Sequence, residues 1–306
     1  MNTIDVQNLH MNFGKFPALR DLSLTVPTGT AMALLGENGA GKTTTLRILA
    51  GIYQASSGTG TVLDTPLGQL DAPQFQRIGH VSENQHLPLH WTLQQLIDYL
   101  KPLYPKWDDA FCEDLIQNFE LPRDRKLAAM SRGMQMKASL VSSLSYRPDL
   151  LLLDEPFSGL DPLVREELID GILELMQGGD WTVLLSSHDI NEVERLCDSV
   201  TLIRDGKISL SEDLSHLQDR FRTWTIAGAA PPTEAFPPEW LQIKQLSENS
   251  WTFTDSQHNP ESSPQKIATI FGPSATSEST SLSLRDIYLT IARQEKKNRL
   301  AHQKSA

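Results

Sequence analysis

The sequence predicts an α/β fold, and the first reason is a set of short apolar runs of strand length. Residues 31–35, 150–153 and 183–185 are apolar throughout, as are strands that are buried on both faces of a parallel sheet. Stretches with apolar residues at helical spacing separate these runs. The composition shifts after about Arg222, which predicts a small α+β C-terminal module. We therefore expect one domain over residues 1–222 and another over residues 223–306.

A glycine-rich loop follows the first apolar run and precedes a helical pattern. Its glycines allow the backbone to curl so that successive N–H groups point inward, and the helix that follows adds the positive end of its dipole. Strand, glycine loop and helix together predict a P-loop nucleoside triphosphatase core. The expected nucleotide-binding residues are Gly36, Glu37, Asn38, Gly39, Ala40, Gly41, Lys42, Thr43 and Thr44.

Two carboxylates, Asp154 and Glu155, close the apolar run 150–153. Ligands of open α/β sheets bind at the carboxyl ends of the strands, so we expect both acids near the phosphates. Lys42 would reach the β and γ phosphates, and Thr43 and Asp154 would hold Mg²⁺. Glu155 would orient and deprotonate the water that attacks the γ phosphate. A strand end with solvated acids is the alternative interpretation.

Composition excludes several classes of protein. The longest apolar runs of the 306 residues are far shorter than the roughly 18 to 20 needed to span a bilayer. The N-terminus lacks the pattern of a signal peptide, so we expect a cytoplasmic chain. Cys112 and Cys197 have no metal-ligand or redox spacing, and we interpret both as packing residues. The formal net charge of −11 argues against a nucleic-acid partner.

A small antiparallel β layer is predicted near the N-terminus. Residues 3–9 and 21–26 carry alternating apolar side chains, as half-buried strands do. Phe13 lies between them and ahead of the phosphate loop, where its ring is placed to stack on a purine base. The other interpretation is that Phe13 or Phe16 fills the core.

A helical subdomain is predicted over about residues 88–147. Thr92 with Gln95 makes a capping box, and apolar residues follow it at helical spacing. A second helix is expected over residues 108–119. A third would begin near Ser131 and end at Pro148. Beyond it, His188 follows the run 183–185, where it would contact a phosphate or the attacking water, or else pack and cap the next helix.

The stretch Met130-Ser131-Arg132-Gly133-Met134 resembles the Leu-Ser-Gly-Gly-Gln signature of ABC-type ATPases. Ser131 and Gly133 match it, and the resemblance covers residues 1 to about 210. It implies the ABC ATPase fold and a dimer of ATPase subunits, in which Ser131 and Gly133 face the γ phosphate bound to the other subunit. Arg132 would add positive charge near the phosphates or face solvent.

Other positions match the series of motifs of that family. Phe13 stands at the place of its base-stacking aromatic residue, which is more often Tyr. Asp161, in Ser158-Gly159-Leu160-Asp161, resembles the loop that communicates across the dimer. His188 matches the switch histidine and is therefore assigned a catalytic role.

One departure concerns the residue that contacts Mg²⁺ or the attacking water in that family. A Gln usually stands there, and the matching position here is Glu83, with Gln85 as the competing candidate. Glu83 would be both catalytic and metal-binding, but it brings an extra negative charge beside the phosphates. Together with Ser131-Arg132-Gly133-Met134, it makes the chain look most like ATPase subunits of ABC-2 type exporters.

The C-terminal module carries short strand patterns around Trp224, Trp240 and Trp251, which we expect to form a compact core rather than a ligand site. Ser283 with Asp286 predicts the start of a helix with an apolar stripe. The basic tail, residues 296–306, is expected to be disordered.

The resemblance implies an ATP-binding and ATP-hydrolysing subunit of an ABC transporter, with ATP and Mg²⁺ as cofactors. It would dimerise around ATP, as a homodimer or heterodimer of ATPase subunits. It would drive a separate integral-membrane permease, expected to be an exporter, from the inner face of the cell membrane, and cargo selection would lie with that permease. The alternatives are a soluble ABC-type ATPase acting on a nucleic-acid or ribosomal partner, and a P-loop kinase.

Overall fold

The computed structural model describes residues 1–83, 87–177, 181–228, 232 and 235–305. The chain divides into two compact units, Met1–Ser211 and Glu212–Ala306. Residues 214–220, which the predicted bounds include in the first domain, form a helix that belongs to the second unit. In it, Arg220 binds Glu212 (2.7 Å) and donates to the carbonyl oxygen of Ser256 (2.6 Å). The bounds 1–222 and 223–306 stay a prediction for the functional domains.

The strands and helices are numbered in chain order. The strands are β1 (Asn2–Phe13), β2 (Phe16–Pro27), β3 (Ala31–Leu35), β4 (Ser57–Val62), β5 (Thr65–Pro66), β6 (Ile78–Ser82), β7 (Leu150–Asp154), β8 (Thr182–Ser187), β9 (Ser199–Arg204), β10 (Lys207–Asp213), β11 (Arg222–Ala227), β12 (Trp240–Ser247), β13 (Ser250–Asp255) and β14 (Thr276–Ser281). The helices are α1 (Lys42–Leu49), α2 (Ala72–Phe75), α3 (Leu93–Leu100), α4 (Asp109–Asn118), α5 (Arg132–Leu144), α6 (Pro162–Gln177), α7 (Ile190–Leu196), α8 (Leu214–Arg220), α9 (Ser262–Phe271) and α10 (Leu284–Ser305).

The first unit contains the predicted α/β core and antiparallel layer. The layer has the order β2-β1-β4-β5, and the central sheet has the order β10-β9-β3-β8-β7-β6. Strands β9, β3, β8, β7 and β6 run parallel, so their carboxyl ends lie at one edge. Register pairs Ser82 with Asp154 and Asp154 with Ser186. The segments after β3, β6, β7 and β8 therefore meet at that edge.

Strand β7 is apolar throughout because both of its faces are buried. Leu151 and Leu153 pack into the hydrophobic cluster beneath the helical region, while Leu150 and Leu152 pack into the cluster beneath the β layer. All four side chains are fully buried. Burial of one Leu side chain contributes about 1.5 to 3 kcal/mol, so a polar residue on either face would be costly.

The helical subdomain follows the predicted start signals. Thr92 and Gln95 form the capping box of α3, and Asp108 and Ser131 accept hydrogen bonds from the first turns of α4 and α5. Helix α5 ends earlier than predicted, at Leu144, with Ser145 as its C-cap. Pro148 therefore lies beyond the helix instead of ending it. Among the described residues, none of the helices is long and apolar enough to cross a membrane.

The second unit is an antiparallel sheet of order β12-β13-β11-β14 with helices α8, α9 and α10. Its core contains Trp224, Ile226, Trp240, Phe253 and Phe271, so the prediction that the tryptophans build a core is confirmed. Ser283 accepts a hydrogen bond from the N–H of Asp286 (3.2 Å), as the cap signal predicted. The expectation of a disordered tail is wrong, because α10 continues through Ser305.

Candidate functional site

The glycine loop between β3 and α1 has the conformation that the motif requires. Gly39 and Gly41 have φ angles of 81° and 112°, in the left-handed region that favours glycine. A Cβ atom on Gly41 would lie 2.7 Å from Leu19 Cδ2 and 3.0 Å from the carbonyl oxygen of Ala18. Helix α1 begins at Lys42, directly after the loop. The N-terminus of α1 therefore points its free N–H groups at the loop.

Lys42 is a buried cation at the centre of this loop. Its side chain is 5% exposed, and Nζ donates to the carbonyl oxygens of Gly36 (2.6 Å) and Glu37 (3.2 Å). Nζ also lies 3.0 Å from Glu155 Oε1. The ammonium group thus joins the phosphate loop to the carboxylate that follows β7.

A second set of polar groups surrounds Asp154. Its Oδ1 accepts hydrogen bonds from Thr43 Oγ1 (2.9 Å) and from Ser186 Oγ (2.7 Å). A hydroxyl and a carboxylate at one point are oxygen donors of the kind that Mg²⁺ prefers. No cluster of three or more His, Cys, Asp or Glu residues suited to a metal occurs in the part of the chain that the structure describes. Mg²⁺ held here would take Thr43 and Asp154 as ligands together with phosphate oxygens, and Glu83, the third predicted ligand, follows β6 at the same edge.

Glu155 lies between a cation and an imidazole. Its Oε2 is 2.7 Å from His188 Nδ1, and its Oε1 is buried against the ammonium group of Lys42 at 3.0 Å. The backbone of Glu155 has a φ of 51°, which is uncommon for a residue with a side chain. The N–H of Glu155 donates to both the carbonyl oxygen and Oγ of Ser186, each at 3.1 Å, and these bonds hold the turn. Backbone strain of this kind clusters at functional sites.

Glu83 follows β6 at the same edge, and its N–H donates to the carbonyl oxygen of Asp154 (3.0 Å). Its Oε1 lies 2.6 Å from Nη2 of Arg132, the first residue of α5. Arg132 therefore pairs with a carboxylate of its own chain and remains half exposed to solvent. Gln85, the competing candidate, lies outside the described residues.

Similarity to known proteins agrees with this geometry. A family model described as ABC transporter matches residues 19–158. The ABC transporter ATP-binding protein YtrB of Bacillus subtilis is 31% identical over 225 residues, 71% of this chain and 74% of that protein. The sulfate/thiosulfate import ATP-binding protein CysA of Escherichia coli is 32% identical over 219 residues, 69% of this chain and 60% of that protein.

A solved structure of the ATP-binding subunit of an ABC transporter has 27% sequence identity and a TM-score of 0.64, and the match covers 71% of this chain and 92% of that one. The chain belongs to the ABC transporter ATP-binding proteins. It is an ATPase subunit, and the predicted ABC ATPase fold is confirmed.

The signature residues of this ABC subunit lie at the start of α5. Ser131 is exposed and accepts a hydrogen bond from the N–H of Met134 (3.2 Å). Gly133 is buried, and a Cβ atom there would lie 2.5 Å from Val164 Cγ1. Packing within the chain is therefore one reason for a glycine at this position. Asp161 is exposed and accepts from the N–H of Val164 (3.1 Å), at the start of α6.

The aromatic residue proposed for base stacking ends β1. Phe13 is 46% exposed, and its ring meets that of Tyr53 edge to face at a centroid distance of 5.7 Å. Tyr53 is held in turn by Arg47, whose Nη1 donates to the phenol oxygen (2.8 Å). The ring of Phe13 is thus held at its edge by Tyr53, while one of its faces is exposed to solvent. Tyr53 and Arg47 lie far from Phe13 along the chain, so their contact with it could not be predicted from local spacing.

A further polar residue of this site that the sequence did not mark is Ser186. Its hydroxyl donates to Asp154 and accepts from the N–H of Glu155, so it orders both acids. The signal was the predicted parallel pairing of two apolar runs, which places the next-to-last residue of β8 opposite Asp154. One residue further, Ser187 Oγ donates to Glu192 Oε2 (2.5 Å), and burial raises the pKa of that carboxyl group. This contact anchors α7 behind His188.

Proposed function

We propose that this ATPase subunit pairs with a second ATPase subunit around ATP and drives a separate membrane permease in the direction of export. The observation that carries the permease assignment is an apolar groove in the first unit, next to the strand that leads to Glu83. The proposed location is the inner face of the cell membrane. In this proposal residues 1–222 act as the ATP-binding domain, and residues 223–306 are an accessory module.

In the proposed hydrolysis of ATP, each side chain at the carboxyl edge of the central sheet has a separate role. Lys42 and the loop N–H groups bind the β and γ phosphates, and Thr43, Asp154 and Glu83 would hold Mg²⁺. Bound Mg²⁺ would neutralise charge that develops on the phosphate oxygens. Glu155 accepts a proton from the attacking water, and His188 keeps its carboxylate in place.

Completion of the site by another subunit is supported by the start of α5. Ser131 is exposed at a helix N-terminus, where a hydroxyl and free N–H groups are suited to a phosphate. Among the residues that the structure describes, the hydroxyl of Ser131 contacts only the N–H of Met134 in its own helix, so it remains available to the γ phosphate bound by a partner. The proposed direction of export is supported by Glu83 and by the motif Ser131-Arg132-Gly133-Met134, because both resemble the corresponding residues of ABC-2 type exporter subunits.

The groove for the permease has a volume of about 350 Å³ and is lined by α2, β6, α3 and α5. Ile52 and Phe75 line it and are 55% and 40% exposed. Its base holds His80, whose Nε2 is buried without a hydrogen-bond partner and whose pKa is lowered by burial. An apolar groove with one unpaired polar atom suits a short amphipathic helix that carries a hydrogen-bonding side chain.

The experiment is affinity purification of the tagged Glu155→Gln chain from its own host, with ATP and Mg²⁺ in mild detergent. A multi-span protein recovered in stoichiometric amount supports the proposal. Phe75→Glu should lose that protein, while Leu246→Glu, which adds the same charge at an exposed leucine of the second unit, should keep it. Recovery only from the soluble fraction, alone or with ribosomes, would contradict the permease assignment.

A further inference from the structure

Two of the positions at which this chain departs from the ABC motifs contact each other. Glu83 stands where a Gln is usual, and Arg132 stands where the signature usually has Gly. They are 49 residues apart in the chain, yet Arg132 Nη2 lies 2.6 Å from Glu83 Oε1. Because these two unusual residues have opposite charges and form one ion pair, we infer that each compensates the charge that the other introduces.

Both partners are held in place from behind. Glu83 is tied to the end of β7 by its N–H bond to the carbonyl oxygen of Asp154 (3.0 Å). The guanidinium of Arg132 lies over Gly159, where an added Cβ atom would be 2.5 Å from Nη1 and 2.8 Å from Cζ. Gly159 therefore leaves the space that the guanidinium occupies. Three segments, after β6, at the start of α5 and after β7, converge on this pair.

The charge of the site explains what the pair does. Asp154 and Glu155 already place two carboxylates at the edge of the sheet, and Lys42 is the buried cation beside them. An unpaired Glu83 would add negative charge where the triphosphate binds and would repel it. With Arg132 attached, the position carries a side chain of the length of Gln with no net charge, and one carboxylate oxygen is held by the guanidinium.

We propose that Arg132 is a positioning residue of the nucleotide site: it neutralises and orients Glu83, so that a glutamate functions where a glutamine is usual. The inference rests on the proposed role of Glu83 beside the nucleotide. Arg132 and Glu83 are 50% and 29% exposed, so their coupling is partly screened by solvent and depends on salt.

The test is a double-mutant cycle on the full chain, with the Kd for MgATP measured by equilibrium binding. Arg132→Ala should weaken binding about fivefold, because it leaves Glu83 charged and unpaired. Glu83→Gln should bind MgATP at least as tightly as the wild type. In the Glu83→Gln background, Arg132→Ala should change the Kd by less than about twofold. At about 0.5 M salt the fivefold effect should largely disappear.

The matched control is Arg195→Ala, which removes an arginine that pairs with Glu166 and Asp170 on α6. It should leave the Kd unchanged. If Arg132→Ala weakens binding equally in the wild-type and the Glu83→Gln backgrounds, Arg132 acts without Glu83 and the inference is wrong. Should Arg132→Ala not purify, Arg132→Gln makes the same comparison.

The outcome also separates this inference from the proposed function. A wild-type chain that does not bind MgATP would contradict the nucleotide site itself. A wild-type chain that binds MgATP, with additive effects of the two substitutions, would contradict only the role of Arg132.

Discussion

The imidazole of His188 lies against the carboxylate of Glu155, with Nδ1 2.7 Å from Oε2. The two residues follow β7 and β8, whose parallel register places Asp154 opposite Ser186. When Glu155 is ionised, its carboxylate only accepts hydrogen bonds, so Nδ1 is then the donor in this pair. The contact leaves Oε1 on the side of Lys42 and fixes the direction in which Glu155 faces the phosphate loop.

His188→Ala should therefore reduce turnover while leaving ATP bound. Loss of the imidazole frees the Glu155 carboxylate to rotate, and misplacement of a reacting group costs on the order of a hundredfold in rate. The measurement is kcat for ATP hydrolysis together with the Kd for MgATP, which should change less than about twofold. His10→Ala, which removes a histidine paired with Asp21 on the β layer, is the control and should leave both values unchanged. An unchanged kcat for His188→Ala would contradict the positioning role.

Ser186→Ala should impair the use of Mg²⁺. The substitution removes the hydroxyl that donates to Asp154 Oδ1 and accepts from the N–H of Glu155, so the metal-binding carboxylate loses its orientation. We expect the Mg²⁺ concentration for half-maximal hydrolysis to rise several-fold, and the free energy of unfolding to fall by about 1 kcal/mol.

Ser145→Ala is the control for this loss of a buried hydrogen bond, since the Ser145 hydroxyl donates to the carbonyl oxygen of Val141 (2.7 Å) within α5 and its C-cap. It should lower stability similarly with no change in the Mg²⁺ requirement. An equal Mg²⁺ response in both variants would show that Ser186 acts only through stability.

Phe13→Ala should weaken ATP binding. Stacking of a base on an aromatic ring is worth about 1 to 3 kcal/mol, so the Kd for ATP should rise at least about fivefold. Phe16→Ala removes a more exposed ring just beyond the end of β1 and should have little effect. Equal Kd values for wild type and Phe13→Ala would assign Phe13 to packing against Tyr53 instead.

Ser131→Arg should abolish ATP hydrolysis if sites form between subunits, because a bulky cation replaces the hydroxyl that faces the phosphate of the partner. Binding of ATP by the chain's own loop should persist. The control is Ser283→Arg, which makes the same change at an exposed helix-capping serine of the second unit. Both variants lose a cap, worth about 1 kcal/mol, so only the loss of activity separates them. Normal hydrolysis by Ser131→Arg would favour a self-contained enzyme such as a kinase.

Local signals predicted most of the scaffold. The runs that became β3, β7 and β8 are buried on both sides, and a continuous apolar run of that length has few other placements. The capping box of Thr92 and Gln95 and the cap at Ser283 depend on residues three apart, so sequence spacing alone shows them. The conformation of the glycine loop is likewise determined locally, because the glycines within residues 36–44 are the residues that adopt positive φ angles there.

What could not be predicted depends on contacts between distant segments. The pair of Arg132 with Glu83 needs the packing of α5 over the sheet edge, and neither residue carries a local sign of it. The left-handed backbone at Glu155 is held by Ser186, which belongs to another strand. The tail from residue 296 is polar, which suggests disorder. It nevertheless continues helix α10, whose first turns carry the apolar stripe.

The measurement that tests the central claim most directly is the rate of ATP hydrolysis by Glu155→Gln at saturating MgATP. If Glu155 takes the proton of the attacking water, turnover should fall by about 10²- to 10⁴-fold, or roughly 2.7 to 5.4 kcal/mol of barrier. MgATP should stay bound, because Lys42 and the loop are intact. Glu167→Gln, at an exposed acid of α6, should hydrolyse ATP normally. Turnover by Glu155→Gln near the wild-type rate would contradict the account.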